Sequence, residues 1–221
     1  MVIVCGVDEA GRGCVLGPLV MVAISADEEG ERKLKWMGVK DSKLLSKEAR
    51  EELFDRIREV ILDFRVEVIE ADAIDHALND PDSNLNWLEA ETSARMVSEL
   101  RSDKIILDCP SINLNAYKSY VFERLSEASR KNSELIVEHK ADFNYVVVAA
   151  ASVIAKVIRD RQIERIKEEV GEDFGSGYMG DEKTRIFLKK SFLKHEKYFR
   201  KSWESYKKVL SESKQKKIFD Y

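Results

Sequence analysis

The sequence is poor in the residues that mark several special classes of protein. Among its 221 residues there are three prolines, three histidines and three cysteines. The low proline content, with no low-complexity stretch and no internal repeat, argues against a linker-rich or repeat protein. The cysteines (Cys5, Cys14 and Cys109) are too few and odd in number for a disulfide framework, which favours a reducing compartment.

Long apolar runs are also missing. The longest uncharged apolar run covers residues 145–155, whereas a membrane-spanning helix needs about 20 residues. The N-terminus has neither a basic region nor a cleavage site, so we expect no secretory signal. We therefore expect a cytoplasmic protein with no membrane contact. Its 44% hydrophobic content is enough for one large core, or for one domain with an appendage.

Charge is distributed unevenly along the chain. The formal net charge is −4, but the first 150 residues carry −10 and residues 151–221 carry +6. Residues 183–217 alone carry +10. An acidic body with a basic C-terminal region suggests a polyanionic partner such as a nucleic acid. The alternative is a basic helix face that is simply solvated.

Short apolar segments alternate with longer amphipathic ones. The pattern predicts strands at 2–7, 17–25, 64–69, 104–108 and 134–138. It predicts helices at 28–37, 47–60, 72–78, 85–101, 115–129 and 144–170, and basic helices at 181–193 and 203–213. The helix at 144–170 is apolar and small on all sides in its first half, which predicts a central packed helix. Strands alternating with helices favour an α/β fold with a mixed sheet.

Four carboxylates lie beside predicted buried structure. Asp8 and Glu9 follow the first strand, Asp108 ends another, and Asp142 directly precedes the longest helix. Carboxylates without histidine or cysteine partners suit hard cations such as Mg²⁺ or Mn²⁺. The alternatives are a solvated turn at Asp8–Glu9, a turn residue at Asp108 and a helix N-cap at Asp142. A zinc site is disfavoured because no C-x-x-C or H-x-x-x-H spacing exists.

Two glycine-rich segments could bring the backbone close to a ligand. Gly11 and Gly13 flank Arg12, and such a turn lets backbone groups approach a phosphate or a sugar. Tyr178 lies in the Gly-rich loop 171–180, where the alternative is an aromatic side chain packed on the core. A dinucleotide-binding loop would need its glycines to open a helix, but here they open a predicted strand.

Several of these segments together resemble the ribonuclease HII family in its archaeal form. They are GVDEAGRG at 6–13, VKDSK at 39–43, EHKAD at 138–142 with its continuation to Lys156, and FGSGY at 174–178. The match runs in order over about residues 2–205. The resemblance implies a ribonuclease H-like fold, with a five-stranded mixed sheet flanked by helices. It divides the chain into a catalytic domain at 1–180, a basic helical extension at 181–213 and a tail at 214–221.

The resemblance also implies an activity and a set of site residues. The family is a metal-dependent endoribonuclease that cleaves the RNA strand of RNA/DNA hybrids. It also nicks 5′ of ribonucleotides embedded in duplex DNA, leaving 3′-hydroxyl and 5′-phosphate ends. Its catalytic, metal-binding carboxylates fall on Asp8, Glu9, Asp108 and Asp142, with two Mg²⁺ or Mn²⁺ ions expected. Its substrate-binding residues fall on Gly11, Arg12, Gly13, Lys43 and Tyr178.

The chain departs from the family pattern at three places. Cys14 replaces a common proline, residues 179–182 replace Pro-Ser-Asp-Pro, and residues 144–145 stand where a proline usually precedes the long helix. None of these changes removes a catalytic group. The sister family, ribonuclease HIII, carries an extra N-terminal domain and lacks the turn arginine, so Arg12 disfavours it. A catalytically dead adaptor is disfavoured because no carboxylate is missing.

The last residues resemble a sliding-clamp-binding peptide. Gln215, Ile218 and Tyr221 fall on the positions of a Q-x-x-aliphatic-x-x-aromatic motif. Residues three apart share one side of a helical turn, so the two apolar side chains could fill one pocket. Residues 211–214 are expected to act as a polar tether, and the alternative is a tail that folds back onto the core. We expect a monomer whose partners are RNA/DNA hybrid, ribonucleotide-containing duplex DNA and a sliding clamp.

Overall fold

The computed structural model describes residues 1–39 and 46–219, with side chains through Gln215. Lys43 and Tyr221 lie outside the described residues, and so does the side chain of Ile218. The chain divides into two compact units. The first unit comprises Met1–Ala10, Val20–Val68 and Leu85–Ile158, and the second comprises Gly11–Leu19, Ile69–Asn84 and Arg159–Tyr221.

A five-stranded mixed sheet forms the centre of the first unit. Its strands are β1 (Ile3–Ala10), β2 (Leu19–Asp27), β3 (Asp63–Ile69), β4 (Lys104–Asp108) and β5 (Glu134–Glu138), in the order β3-β2-β1-β4-β5. The central strand β1 pairs antiparallel with β2 and parallel with β4, and β4 pairs parallel with β5. The predicted mixed sheet is therefore confirmed. The side chains of β1 point alternately to the two faces of the sheet and are almost all buried, so both faces are covered at this strand.

The helices follow the predicted order closely. They are α1 (Glu28–Trp36), α2 (Lys47–Arg58), α3 (Ala71–Asn79), α4 (Leu85–Ser98), α5 (Leu114–Arg124), α6 (Glu127–Asn132), α7 (Ala141–Asn144), α8 (Val146–Val170), α9 (Glu182–Ser191) and α10 (Glu204–Phe219). Ser46 caps α2, because its side chain accepts a hydrogen bond from the Ala49 N–H at 3.2 Å. None of these helices is both long and apolar enough to cross a membrane.

The first half of α8 is the central packed helix that the sequence predicts. Residues 147–151 and 153–155 are buried and belong to the same apolar cluster as Leu34 of α1 and Ile57 of α2. Gly6 of β1 makes the close contact possible. A Cβ atom there would lie 2.6 Å from the carbonyl carbon of Val147 and from the backbone nitrogen of Val148. The backbone of α8 therefore rests directly on the central strand.

Several predicted boundaries were wrong. The single helix expected at 115–129 is two helices, because Leu125 is extended and Ser126 caps α6. The long helix begins at Val146 because Tyr145 is extended. The first strand continues to Ala10 because β2 keeps pairing with it to that point, so its two carboxylates lie within the strand and not after it.

The second unit has its own apolar cluster, formed by the loop after β1, the second half of α8 and the C-terminal helices. Its fully buried members include Leu16, Phe174, Phe187 and Phe199. The antiparallel bridge between Leu16 and Phe199 joins the loop after β1 to the segment after the short 3₁₀ helix Glu196–Tyr198. The last helix was expected to end at 213, but α10 runs to Phe219, so the polar tether expected at 211–214 is helical.

Candidate active site

Asp8 is the most deeply placed of the four predicted carboxylates. It lies near the end of β1, its carboxylate accepts a hydrogen bond from the Glu9 N–H at 2.7 Å, and it is hydrogen-bonded to Ser152. Burial raises the pKa of Asp8 to about 6, and the charge of Asp108 acts in the same direction. A buried carboxylate beside a second carboxylate is costly unless a cation or a proton offsets its charge.

Ser152 and Lys156 lie on α8 behind Asp8. The Lys156 ammonium donates a hydrogen bond to the Ser152 hydroxyl at 2.8 Å. The hydrogen bond from Ser152 and the positive charge of Lys156 both favour ionised Asp8, but burial outweighs them in setting its pKa. Neither residue was among the predicted site residues. The available signal was a pair of polar residues four apart on an otherwise apolar helical stretch.

Asp108 connects the end of β4 to the segment that carries Asp142. Its Oδ1 accepts a hydrogen bond from the Ala141 N–H at 2.9 Å, at the start of α7. Lys140, just before α7, has a left-handed backbone with φ of 57°. Asp142 itself is half-buried within α7 and does not cap the long helix, so the N-cap alternative is wrong.

The strand register brings the predicted carboxylates to one edge of the sheet. The last parallel pair of β1 and β4 is Val7 with Leu107, so Asp8 and Asp108 follow side by side. Among the described residues, no three His, Cys, Asp or Glu side chains are gathered as a formed metal cluster. The donor set nevertheless suits a hard cation, because it consists of carboxylate oxygens around a buried, charge-strained Asp8.

Two further buried groups lie beside this edge. Glu89 of α4 and Tyr117 of α5 are almost completely buried. Burial raises the pKa of Tyr117 well above its ordinary value, and the charges of Glu89 and Glu9 raise it further. A buried acidic residue thus accompanies the predicted carboxylates. Nothing in the sequence pattern of α4 singles it out.

In the second unit, the segment at 11–17, called the glycine turn below, lies next to the Gly-rich loop. Gly11 has φ of +88°, and a Cβ atom there would lie 2.6 Å from the Pro18 carbonyl oxygen, so a side chain is excluded. Gly13 is exposed, and a Cβ atom there would lie 3.9 Å from the Tyr178 ring. The structure therefore brings two of the predicted substrate-binding elements together.

Tyr178 is presented at the surface of the second unit. Its residue is 37% exposed, and the Arg159 guanidinium lies 4.9 Å from the ring centroid. Arg159 also donates a hydrogen bond to the Ser176 carbonyl. Tyr178 is not a member of the apolar cluster of this unit, so the alternative of an aromatic side chain packed on the core is wrong.

Residues 179–182, which depart from the family pattern, include Asp181. Its side chain caps α9 and accepts a hydrogen bond from the Ser176 N–H at 2.8 Å.

Comparison with known proteins identifies the family. The family model described as ribonuclease HII matches residues 5–206. The chain belongs to the ribonuclease HII family. A relative from Pyrococcus furiosus, named ribonuclease HII, is 37% identical over 217 residues, which cover 96% of this chain and 93% of the relative. The chain is thus an endoribonuclease that cleaves RNA in RNA/DNA hybrids and at embedded ribonucleotides, and its family uses divalent metals.

Solved structures agree with this assignment. The ribonuclease H2 from Pyrococcus horikoshii has a TM-score of 0.83 and 36% identity, covering 94% of this chain and 96% of that one. The ribonuclease HII in a complex with PCNA from Archaeoglobus fulgidus has a TM-score of 0.77 and 37% identity, covering 86% and 87%. A ribonuclease HIII described as Bst-RNase HIII in complex with Mn²⁺ shares the fold, with a TM-score of 0.80 and 23% identity, covering 97% and 71%.

Proposed function

We propose that Asp8, Glu9, Asp108 and Asp142 hold two divalent ions, Mg²⁺ or Mn²⁺, at the edge of the sheet. The observation that carries this proposal is the placement of Asp8 beside Asp108 on adjacent parallel strands, with Asp8 buried. Its carboxylate is strained by burial and by a like charge, and bound cations would relieve both.

The chain's own residues set up hydrolysis on the 5′ side of a ribonucleotide, leaving 3′-hydroxyl and 5′-phosphate ends. When bound, the divalent ions supply an activated water and stabilise the leaving 3′ oxygen. The Glu9 N–H and the Ser152 hydroxyl fix the Asp8 carboxylate in one orientation. The hydrogen bond from the Ala141 N–H does the same for Asp108. Pre-orienting these groups avoids reorganisation during the reaction.

Recognition of the ribonucleotide is assigned to the second unit. The exposed backbone at Gly13, with Gly11 and Arg12, is suited to approach the ribose, whose 2′-hydroxyl distinguishes RNA from DNA. Tyr178, half-exposed beside Gly13, is suited to stack on the sugar of the following deoxynucleotide. Lys43 and the basic helices after residue 181 would contact phosphates, which position a duplex without reading its sequence.

The decisive experiment is a nicking assay on duplex DNA with one embedded ribonucleotide, in Mg²⁺, in Mn²⁺ and in chelator. Asp108→Asn should abolish nicking while duplex binding persists, because it removes charge from the metal site and no apolar packing. Asp55→Asn, at an exposed position on α2, is the matched control and should be active. Near wild-type nicking by Asp108→Asn at saturating Mg²⁺ would remove the carboxylate assignment.

The C-terminal tail, residues 214–221, begins within α10 and is proposed to bind a sliding clamp in the cytoplasm. Support comes from the Gln215, Ile218 and Tyr221 spacing, from the exposure of Gln215 on α10 and from the relative solved with PCNA. A peptide of residues 212–221 should bind the cognate clamp in calorimetry, and Ile218→Ala should remove binding without changing nicking. Absence of binding heat, or unfolding of the Ile218→Ala enzyme, would favour a tail that folds back.

A further inference from the structure

Arg200 is a charged side chain that is completely buried in the second unit. It lies just after the 3₁₀ helix Glu196–Tyr198, and its exposed fraction is 0%. Arginine is almost never fully buried unless its charge and its donors are satisfied, because transferring an ion out of water is costly. The groups that contact the Arg200 guanidinium therefore indicate the function of this buried charge.

Its guanidinium binds main-chain carbonyls of the glycine turn. Nη2 donates to the Gly11 carbonyl at 2.7 Å, Nη1 donates to the Arg12 carbonyl at 2.7 Å, and Nε and Nη2 donate to the Gly17 carbonyl at 3.2 and 3.1 Å. A planar fork of donors can hold three carbonyls in one arrangement. A lysine, with a compact ammonium on a flexible stem, cannot reproduce this geometry.

These hydrogen bonds also decide where the amide donors of the turn point. In a trans peptide the carbonyl of one residue and the N–H of the next residue point in opposite directions. Because Arg200 draws the carbonyls of Gly11 and Arg12 toward the buried side, the N–H groups of Arg12 and Gly13 are directed away from it. Gly13 is exposed and has no side chain to cover its backbone.

Arg200 is itself held in place on both sides along the chain. Its N–H donates to the Val15 carbonyl at 2.9 Å. On the other side, the Asp75 carboxylate of α3 accepts the N–H groups of Lys201 and Ser202 at 2.7 and 2.9 Å, and the Ser202 hydroxyl at 2.5 Å. Asp75 is only 9% exposed, so these bonds are shielded from water. The guanidinium is thus pre-positioned before any substrate arrives.

We propose that Arg200 is a positioning residue for ribonucleotide recognition. It does not touch the substrate, but it fixes the direction of the Arg12 and Gly13 N–H groups that face the ribose. Asp75 anchors the segment that presents it. This inference rests on the role proposed above for the glycine turn, and it adds the residue on which that role depends.

The test combines a structural measurement with kinetics. Arg200→Lys retains the charge but loses the fork, and Arg165→Lys, at an exposed position in the same unit, is the matched control. Amide hydrogen exchange should rise in peptides covering 11–17 in Arg200→Lys, and should stay unchanged in peptides of α8 in both variants. Nicking at a single ribonucleotide should lose about 10- to 100-fold in kcat, the scale expected for a misplaced contact, with the half-saturating Mg²⁺ concentration unchanged.

Asp75→Asn provides a second variant if Arg200→Lys does not fold. It should give a smaller rise in amide exchange at 11–17 and a smaller loss of kcat. Unchanged exchange at 11–17 would overturn the proposal. Faster exchange with wild-type kcat would also overturn it, since the direction of the Arg12 and Gly13 N–H groups would then not matter for nicking. If the wild-type enzyme does not nick single ribonucleotides, the proposed substrate is wrong. Faster exchange at 11–17 in Arg200→Lys would then still establish the hold of Arg200 on the turn.

Discussion

At the scale of single residues, Asp8 combines a structural cost with a proposed catalytic role. Its side chain is buried, it lies beside Asp108, and its pKa is raised to about 6, chiefly by burial. A structural carboxylate in a fold would usually be paired so that its pKa falls. A raised pKa in a buried carboxylate pair is typical of sites that bind cations or carry out proton chemistry.

Replacing this carboxylate should therefore stabilise the metal-free protein. Because the pKa in the folded state is about 6 against an ordinary 3.8, the contribution of Asp8 to stability is full at low pH and is lost as the pH rises through 6. In chelator at pH 8, Asp8→Asn should exceed the wild type in unfolding free energy by up to about 3 kcal/mol, and the gap should close below pH 4. Urea unfolding at several pH values measures the gap. A gap that does not vary with pH would contradict the prediction.

Tyr178 allows a second test at the same scale. Its ring lies next to Gly13 and under the Arg159 guanidinium, half-exposed, as a platform for a sugar would be. Tyr178→Ala should lose nicking at single ribonucleotides more than it loses cleavage of long hybrids, because only the single ribonucleotide must be located by its deoxy neighbour. Tyr178→Phe retains the ring and should retain most of the preference. Equal losses on both substrates would argue against the assigned role.

At the scale of elements, apolar patterning was enough to predict the five strands and the central helix. The predicted position of Asp108 depended on a strand end, and that end agrees with β4 because buried strands read as short apolar runs. The predicted position of Asp142 depended on the start of the long helix, but Asp142 lies in the separate short helix α7. The break at Tyr145 was not predictable, because no proline or glycine marks it. The Ser152–Lys156 pair was also missed, since its importance depends on which side of α8 faces β1, and only the packed fold decides that.

Gly6 is the residue through which β1 and α8 reach their contact distance. Gly6→Ala would place a methyl group 2.6 Å from α8 backbone atoms, and backbone cannot yield as a flexible side chain does. We expect a loss of about 1–3 kcal/mol in unfolding free energy, together with reduced kcat, because Ser152 would shift relative to Asp8.

Gly180→Ala serves as the control, because a Cβ atom there would meet nothing within 4 Å. Thermal unfolding and the nicking assay on both variants measure the effect. A Gly6→Ala enzyme that is as stable and as active as the control would show that α8 can move away from β1 without consequence.

At the scale of the whole molecule, the sequence motifs predicted the family and most of the candidate site, but not what supports it. Arg200 lies in a basic C-terminal region where thirteen Lys and Arg residues occur within residues 183–217. Nothing in the charge pattern separates Arg200, which is 0% exposed, from the exposed Lys and Arg side chains that the structure describes in this region. Its partners are more than 180 residues away in the chain, so only tertiary structure reveals its role.

The same basic region should dominate the salt dependence of substrate binding despite the net charge of −4. Lys189, Lys194 and Lys208 are exposed in the second unit, so replacing them with Gln removes charge without disturbing the apolar cluster. Each lost phosphate contact lowers the slope of log Kd against log salt by about 0.9 for a DNA duplex, so the triple variant should lower it by up to about 3.

The matched control replaces three exposed basic residues of α1 with Gln, namely Arg32, Lys33 and Lys35. Binding isotherms of an uncleaved duplex at four salt concentrations give the slopes. Equal slopes for the two triple variants would place the phosphate contacts outside the basic C-terminal region.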